Sequence, residues 1–182
     1  MLYVVCYPAM KMADRLRIER FRRKHEPSRA RLIQAHITLM FGVAVLDIRS
    51  LKTRVSAVAS QQAPFDISME TAEIRADPLS GEWKLFLMVG KGRSAFTDLH
   101  RRLHAGLDVT EDRDVPFSPH VTVASSVSRD EIQAAWEASA RLGLPLVGRA
   151  EALDIVALRE DRLDGLGSFR LGLTEEPLED LF

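Results

Sequence analysis

Cysteine is almost absent: Cys6 is the single one in 182 residues. No internal disulfide can form, so packing alone has to hold the fold. The lone thiol lies in the apolar run LYVVCYP and reads as a buried, inert group in a reducing compartment, the cytoplasm. An excess of either charge is missing too. Lys and Arg number 25 against 26 acids, a net charge of −1, which gives no overall pull toward nucleic acid and leaves only local attraction. Long apolar runs are lacking as well. The apolar start covers only Met1 to Tyr7, has no basic lead and is too short for a signal peptide or a membrane span. Low-complexity tracts do not occur. With 46% hydrophobic and 28% charged residues, the composition is that of a soluble globular protein able to bury a core. The length suits one domain or two small lobes sharing a seam.

What the chain does contain is a pattern stated twice. QAHITLMFG carries His36 and Thr38, and FSPHVTVASS carries His120 and Thr122, 84 positions later (120 − 36). Side chains alternate across an extended strand, so each His and Thr share a face while Ile37 and Leu39, or Val121 and Val123, share the other. Each strand therefore has one apolar face and one polar pair. The surroundings of each pair are small or apolar, unlike an ordinary solvated face.

The elements around these strands repeat in order. A first strand leads to a helix over MKMADRLRIERFRRKHE that should stop before Pro27, and the first His strand follows at about 34–41. Asp47 offers an N-cap for a helix through about Ala59, with Leu51, Val55 and Val58 at helical spacing. PFDISMETAEIRADP and GEWKLFLMVG read as two strands joined by a turn at Pro78 to Gly81. The second half brings a helical stripe of Phe96, Leu99, Leu103 and Leu107, then the second His strand. Ser128 and Glu131 form a capping box for a helix with Ile132 and Trp136, and a further strand pair comes from PLVGRAEALDIVALRED and LGSFRLGL. Laying Pro64 on Pro145, an offset of 81, sets Glu70 on Glu151, Glu73 on Asp154 and Ile74 on Ile155. A three-residue difference in the connecting helix reconciles this with the His spacing. Two similar αβ lobes packed face to face are the expectation, within residues 1–182 as a single bilobal domain.

A pseudo-twofold axis between such lobes would bring both polar pairs into one cleft. Two imidazoles, each with an ordinary pKa of roughly 6.5, can divide acid and base work near neutrality. A first imidazolium discourages a second beside it, so one ring takes a proton while the other gives one. Such a pair suits a phosphodiester, attacked on one side and broken on the other. Threonine hydroxyls can hold phosphoryl oxygens without adding charge.

Twin H-x-T-hydrophobic motifs, HITL and HVTV, in a chain near 180 residues resemble the 2H phosphoesterase superfamily, which includes the 2'-5' RNA ligase and cyclic phosphodiesterase proteins. Phe41 and Gly42 after the first motif extend the likeness. The resemblance implies an α+β, bilobal, pseudo-twofold duplicated fold with antiparallel sheets, helices packed outside and a central groove. It implies His36 and His120 as the catalytic acid–base pair and Thr38 and Thr122 as substrate-binding residues. It also implies hydrolysis of 2',3'-cyclic phosphates, or chemistry on 2'-5' linked nucleotides or RNA ends, with no metal and no cofactor. After Thr122 the pattern departs: Ala124, Ser125 and Ser126 stand where many members carry an arginine. That departure keeps open a second reading, a nucleotide- or RNA-binding module of the same fold without turnover.

Other groups invite plainer readings. His100 and His104 share a helix face, but the sequence between them lacks the glutamate of H-E-x-x-H, so an exposed helical surface is expected there rather than a metal site. His25 reads as solvated. The eight basic residues between Arg15 and Arg31 are interleaved with Asp14, Glu19 and Glu26 and read as a charged helix face. Tyr3 and Tyr7 can turn toward the groove or pack in the core. The ending TEEPLED reads as a solvated tail.

Overall fold

Strand, helix, strand, helix, strand is the order in which the chain runs, and it runs it twice. The computed structural model describes residues 1–43, 47–77, 80–107, 116–159 and 162–173. The first pass contains β1 (Leu2–Cys6), a two-residue strand β2 (Ala9–Met10), α1 (Met12–His25), α2 (Pro27–Leu32), β3 (Ile37–Val43), α3 (Ile48–Ser60) and β4 (Phe65–Asp77). The second contains β5 (Glu82–Val89), α4 (Arg93–His104), β6 (His120–Ser126), α5 (Arg129–Ser139), a 3-10 turn, β7 (Leu146–Ala150), β8 (Ala152–Arg159) and β9 (Arg162–Arg170).

The expected stops and starts are present. α1 ends before Pro27, and the proline opens α2, where its missing N–H costs nothing. Asp47 caps α3 by accepting from the N–H groups of Arg49 and Ser50, and Ser128 caps α5 by accepting from Glu131 N–H. The second half of the capping box differs: the Glu131 carboxylate accepts from Ser126 Oγ instead of from Ser128 N–H. The turn expected at Pro78 to Gly81 falls partly outside the described residues, and TEEPLED lies wholly outside them.

Among the described residues all nine strands form one antiparallel sheet in the order β2-β7-β4-β5-β6-β3-β1-β8-β9. The two His strands, β6 and β3, lie side by side at its centre, and the pairs outward from them are β5 and β1, then β4 and β8. The lobes are therefore joined edge to edge, not face to face. The order also reassigns one strand. GEWKLFLMVG matches β1 rather than LGSFRLGL, because β5 flanks β6 as β1 flanks β3. PLVGRAEALDIVALRED is likewise not one strand: it divides at Glu151 into β7, paired with β4, and β8, paired with β1 and β9.

The repeat is sharper in three dimensions than in sequence. The N-caps Asp47 and Ser128 are 81 apart (128 − 47), so the three-residue difference falls in the links flanking the His strands and not in the helix. Val5 pairs with Thr38 and Phe86 with Thr122, and these partners are again 81 apart (86 − 5). Val5 also pairs with Asp154, as Phe86 does with Glu73, which places the Glu73 and Asp154 match on equivalent sites.

Two short links, Tyr7 and Pro8 between β1 and β2 and Glu151 between β7 and β8, force the sheet to curl. β1 reaches β2 through Tyr7 and Pro8 alone, although the two strands are six places apart in the order. Six strand spacings of a flat sheet amount to roughly 29 Å. A two-residue link spans about 10 Å. The ends of the sheet must bend toward each other, and the groove follows from that bend.

The helices cover the other face. α1 packs over β6 and α4 over β3, each crossing to the opposite half, while α3 covers β8 and β9 and α5 covers β4 to β6. Their buried residues, among them Ile18, Leu51, Phe96, Leu99, Leu103 and Ile132, meet Val4, Cys6, Ile37, Leu39, Leu85, Leu87, Val121 and Val123. Cys6 is buried there, and burial pushes its thiol up to about 12, which fits the inert thiol expected. Among the described residues no helix is long and apolar enough to cross a membrane.

Candidate active site

With Ile37 and Val121 turned into the core, the residues on either side of each must face the groove. His36, Thr38, His120 and Thr122 are all half-buried there. Ile37 lies directly against Val121 in the antiparallel pairing of β3 with β6. That register sets His36 opposite Thr122 and Thr38 opposite His120, a two-by-two patch on one face. Among the described residues it is the one registered pair between the two strands. Both strands also carry a bulge just past the threonine, seen as register shifts between Val4 and Val5 and between Leu85 and Phe86. Bulges of this kind turn the following side chains and recur beside active sites.

The two imidazoles are held alike. His36 Nδ1 lies 2.7 Å from Gln34 O, and His120 Nδ1 lies 2.8 Å from Ser118 O, in each case the carbonyl two residues earlier. A carbonyl oxygen can only accept, so each Nδ1 carries the hydrogen and each neutral ring keeps its lone pair on Nε2. Two separate lead-ins hold the carbonyls in place. Ahead of His120, Pro119 O accepts from Val89 N–H at 3.1 Å. Ahead of His36, Ile33 O accepts from Arg22 and Ala35 N–H donates to Glu19.

Aromatic rings border the patch. Phe86 stacks on His120 at 3.9 Å between centroids, and Tyr7 stands edge-on to His36 at 6.2 Å. Farther out the groove loses its symmetry. Tyr3 packs edge-on against Phe41, which is 68% exposed. The equivalent place in the other half has Lys84 paired with Ser125, the lysine bound to Asp77, with Arg75 bound to Glu73 nearby.

Burial also tunes the protons. It is the main cause pulling His36 down to about 4, aided by the positive charges of Arg22, His120 and Arg29 and opposed by the Gln34 carbonyl. His120 is lowered as well, first by burial and then by Arg75 and Lys84, against the Ser118 carbonyl. That His36 feels the charge of His120 accords with the two rings sharing one groove. Burial, with the Asp154 carboxylate nearby, pushes the Tyr7 hydroxyl up to about 12, so it stays a hydrogen-bond donor.

Three plain readings need correction. His100 is not on an exposed surface: it is half-buried, its Nδ1 lies 2.8 Å from Leu39 O at the β3 bulge, and its ring stacks on Phe117 at 3.9 Å. His104 is half-buried too, with Nδ1 2.8 Å from His100 O. His100 thereby ties α4 to β3 and to the loop ahead of β6. His25 is half-buried against Phe21, with centroids 4.4 Å apart, rather than solvated. Arg22, read as one of a charged face, is 2% exposed and belongs to the support of His36. A signal for it existed: it follows the buried Ile18 by four residues, and the 81-residue offset lays it on Leu103 of the apolar stripe.

The family description 2'-5' RNA ligase superfamily matches residues 10–162 of this chain. The chain belongs to that superfamily, among the 2H phosphoesterases. The superfamily fold is seen again in solved structures. TT0787 of Thermus thermophilus is similar with a TM-score of 0.64 and 19% identity, covering 94% of this chain and 97% of that one. Escherichia coli LigT complexed with NADP+ gives 0.59 at 17% identity, over 94% of this chain and 98% of that one. Usb1 of Kluyveromyces marxianus gives 0.59 at 9% identity, over 93% and 97%. LigT has also been crystallised with 3'-AMP. At these identities the likeness is one of fold. No curated protein matches the sequence.

Proposed function

We propose that this superfamily member is a metal-independent phosphoesterase that opens 2',3'-cyclic phosphates, or acts on 2'-5' linked nucleotides or RNA ends, by two-histidine acid–base catalysis. The observation that carries this reading is the matched pair of Nδ1–carbonyl contacts, which leaves an Nε2 on each of two adjacent strands free for proton transfer. In the hydrolytic direction one Nε2 takes a proton from water as the water oxygen bonds to phosphorus. The P–O3' bond breaks, and the departing oxygen takes a proton from the other Nε2, leaving a 2'-phosphomonoester. Thr38 and Thr122 donate to the non-bridging oxygens, where charge gathers. The imidazoles supply both proton transfers, so the reaction asks nothing of a metal. The proposal treats residues 1–182 as one bilobal unit, and a buried free thiol fits a cytoplasmic setting.

A nucleotide is favoured over a simple phosphodiester by the Tyr3 and Phe41 wall, since an exposed ring beside the groove gives a base a face to stack on. Stacking of one base contributes about 1–3 kcal/mol. Phe41→Ala is therefore expected to raise KM for a cyclic nucleotide roughly 5- to 100-fold with kcat little changed. Steady-state kinetics would check this, and an unchanged KM would remove the wall from the site.

The pH profile follows from the directions of the two shifts. If one ring must be neutral and the other protonated, kcat/KM rises as pH passes the base and falls as it passes the acid. With His36 as the base it rises through about 4. The alkaline fall then belongs to His120, which lies below the ordinary value of roughly 6.5. The expected bell for kcat/KM lies on the acid side of neutrality. A bound phosphodiester favours imidazolium, so the alkaline limb of kcat should lie at higher pH than that of kcat/KM.

A second reading, a binding module without turnover, is favoured by Ala124, Ser125 and Ser126 after the second motif and by the pairing of Lys84 and Arg75 with acids. Incubating the pure protein with 2',3'-cyclic nucleotides in excess chelator separates the two. Formation of a 2'-phosphomonoester supports the enzyme, and binding without product supports the module.

A further inference from the structure

The internal duplication allows one half of the chain to serve as a control for the other. Ile18 of α1 and Leu99 of α4 are 81 apart (99 − 18), and both are fully buried. The same offset lays Arg22 on Leu103, and here the match is chemically strange. One half fills the position with a leucine, and the other with an arginine only 2% exposed. Burying a guanidinium is costly unless every donor is well placed, so its contacts should reveal what it does.

Arg22 Nε donates to Glu26 Oε1 at 2.5 Å, and Nη1 donates to Glu19 at 3.2 Å and to Ile33 O at 2.9 Å. Glu19 Oε1 in turn accepts from Ala35 N–H at 2.6 Å. Ile33 and Ala35 flank Gln34, and it is Gln34 O that holds His36 Nδ1. A continuous set of hydrogen bonds thus runs from the guanidinium through the peptide lead-in to the first imidazole. Among the described residues of the second half no such charged clamp is present. There Val89 N–H holds Pro119 O, and Leu103 brings no charge.

We propose that Arg22 is a positioning residue for His36 and that it breaks the symmetry of the two motifs, fitting His36 to be the base and leaving His120 the acid. The role of base rests on the phosphoesterase reading; the positioning does not. In that role His36 Nε2 takes the proton from water while His120 Nε2 gives its proton to the departing oxygen. The fixed positive charge behind His36 opposes its protonation in the resting enzyme. The other groups that bear on His36 are Arg29 of α2, His120 of β6, Tyr7 beside its ring and the Gln34 carbonyl. Glu19 and Glu26 stand behind Arg22, and burial raises the Glu26 carboxyl above its ordinary range despite the arginine.

The test compares the full-length protein with two variants. Arg22→Met combined with Glu26→Gln removes the buried pair together, and Arg22→Lys keeps the charge but cannot make the forked contact. The imidazole Cε1–H signals of His36 and His120 are titrated by NMR, alongside pH profiles of 2',3'-cyclic nucleotide hydrolysis. In the double variant the His36 midpoint should rise by about one unit while that of His120 stays put. The acid limb of kcat/KM should rise with it. In Arg22→Lys, kcat should fall about tenfold at constant KM with the His36 midpoint kept. A folded double variant in which His36 does not move, or moves together with His120, overturns the positioning role. If the double variant does not fold, an Arg22→Lys variant with wild-type kcat overturns it. Movement of the alkaline limb instead of the acid limb overturns the assignment of base. A wild-type protein without turnover would defeat the phosphoesterase reading and the base assignment, while the NMR titration still decides the positioning.

Discussion

Replacing either His36 or His120 with alanine is expected to lower turnover of a 2',3'-cyclic nucleotide by about 10²-fold or more. The expectation comes from the groove holding two Nε2 atoms, each oriented by its own carbonyl and each opposite the other motif's threonine. One proton transfer is lost in each variant, and water must take over. The two losses should differ in form. With His36 gone the acid limb of the kcat/KM profile disappears, and with His120 gone the alkaline limb disappears. The double variant should lose far less than the product of the single losses, because the two groups act in one step. Wild-type turnover in either single variant would remove the mechanism.

The second large effect concerns the threonines. Thr38→Val and Thr122→Val keep the shape and the strand preference of the side chain but remove the hydroxyl proposed to donate to the phosphoryl oxygens. Removing one preorganised donor of this kind costs about 10²-fold or more in rate. Each valine variant is therefore expected to lose about 10²-fold in kcat/KM, and the serine variants should recover most of it. Steady-state kinetics with thermal unfolding as a control would check this. Equal kinetics for valine and threonine would mean that these hydroxyls do not reach the phosphate.

The shared face of each His–Thr pair could be read from the chain because strand geometry has a period of two. His36 with Thr38, and His120 with Thr122, needed only that alternation to be placed on one face, and Ile37 and Val121 confirm it by their burial. Asp47 and Ser128 were legible as caps for a similar reason, since the capping contact is local. What escaped depends on contacts between residues far apart. Glu151 gives no local sign that the chain leaves one half of the sheet for the other there. The place of β5 beside β6 was hidden because a hairpin reading of β4 and β5 is correct locally and silent on the other neighbour. Arg22 looked like its exposed neighbours because charge usually marks the wet face of a helix, and Glu19 and Glu26 looked like its surface partners. The burial of His100 likewise depends on a distant partner, its Leu39 contact spanning 61 positions.

The curl of the sheet links fold to chemistry. Tyr7 and Pro8 join strands six places apart in the sheet, and Tyr7 also stands against His36, so one short connection both bends the groove and borders that imidazole. The Phe41 and Lys84 ends then make the groove unequal, which suits a substrate with a base at one end and polar groups at the other.

The most direct measurement is a crystal structure of the protein with a nucleoside 2'-monophosphate, the product of ring opening. The phosphate should lie between β3 and β6, with Nε2 of His36 and Nε2 of His120 each about 3 Å from a different phosphate oxygen. A phosphate bound elsewhere, or one touching a single imidazole while the other ring stays out of reach, would contradict it.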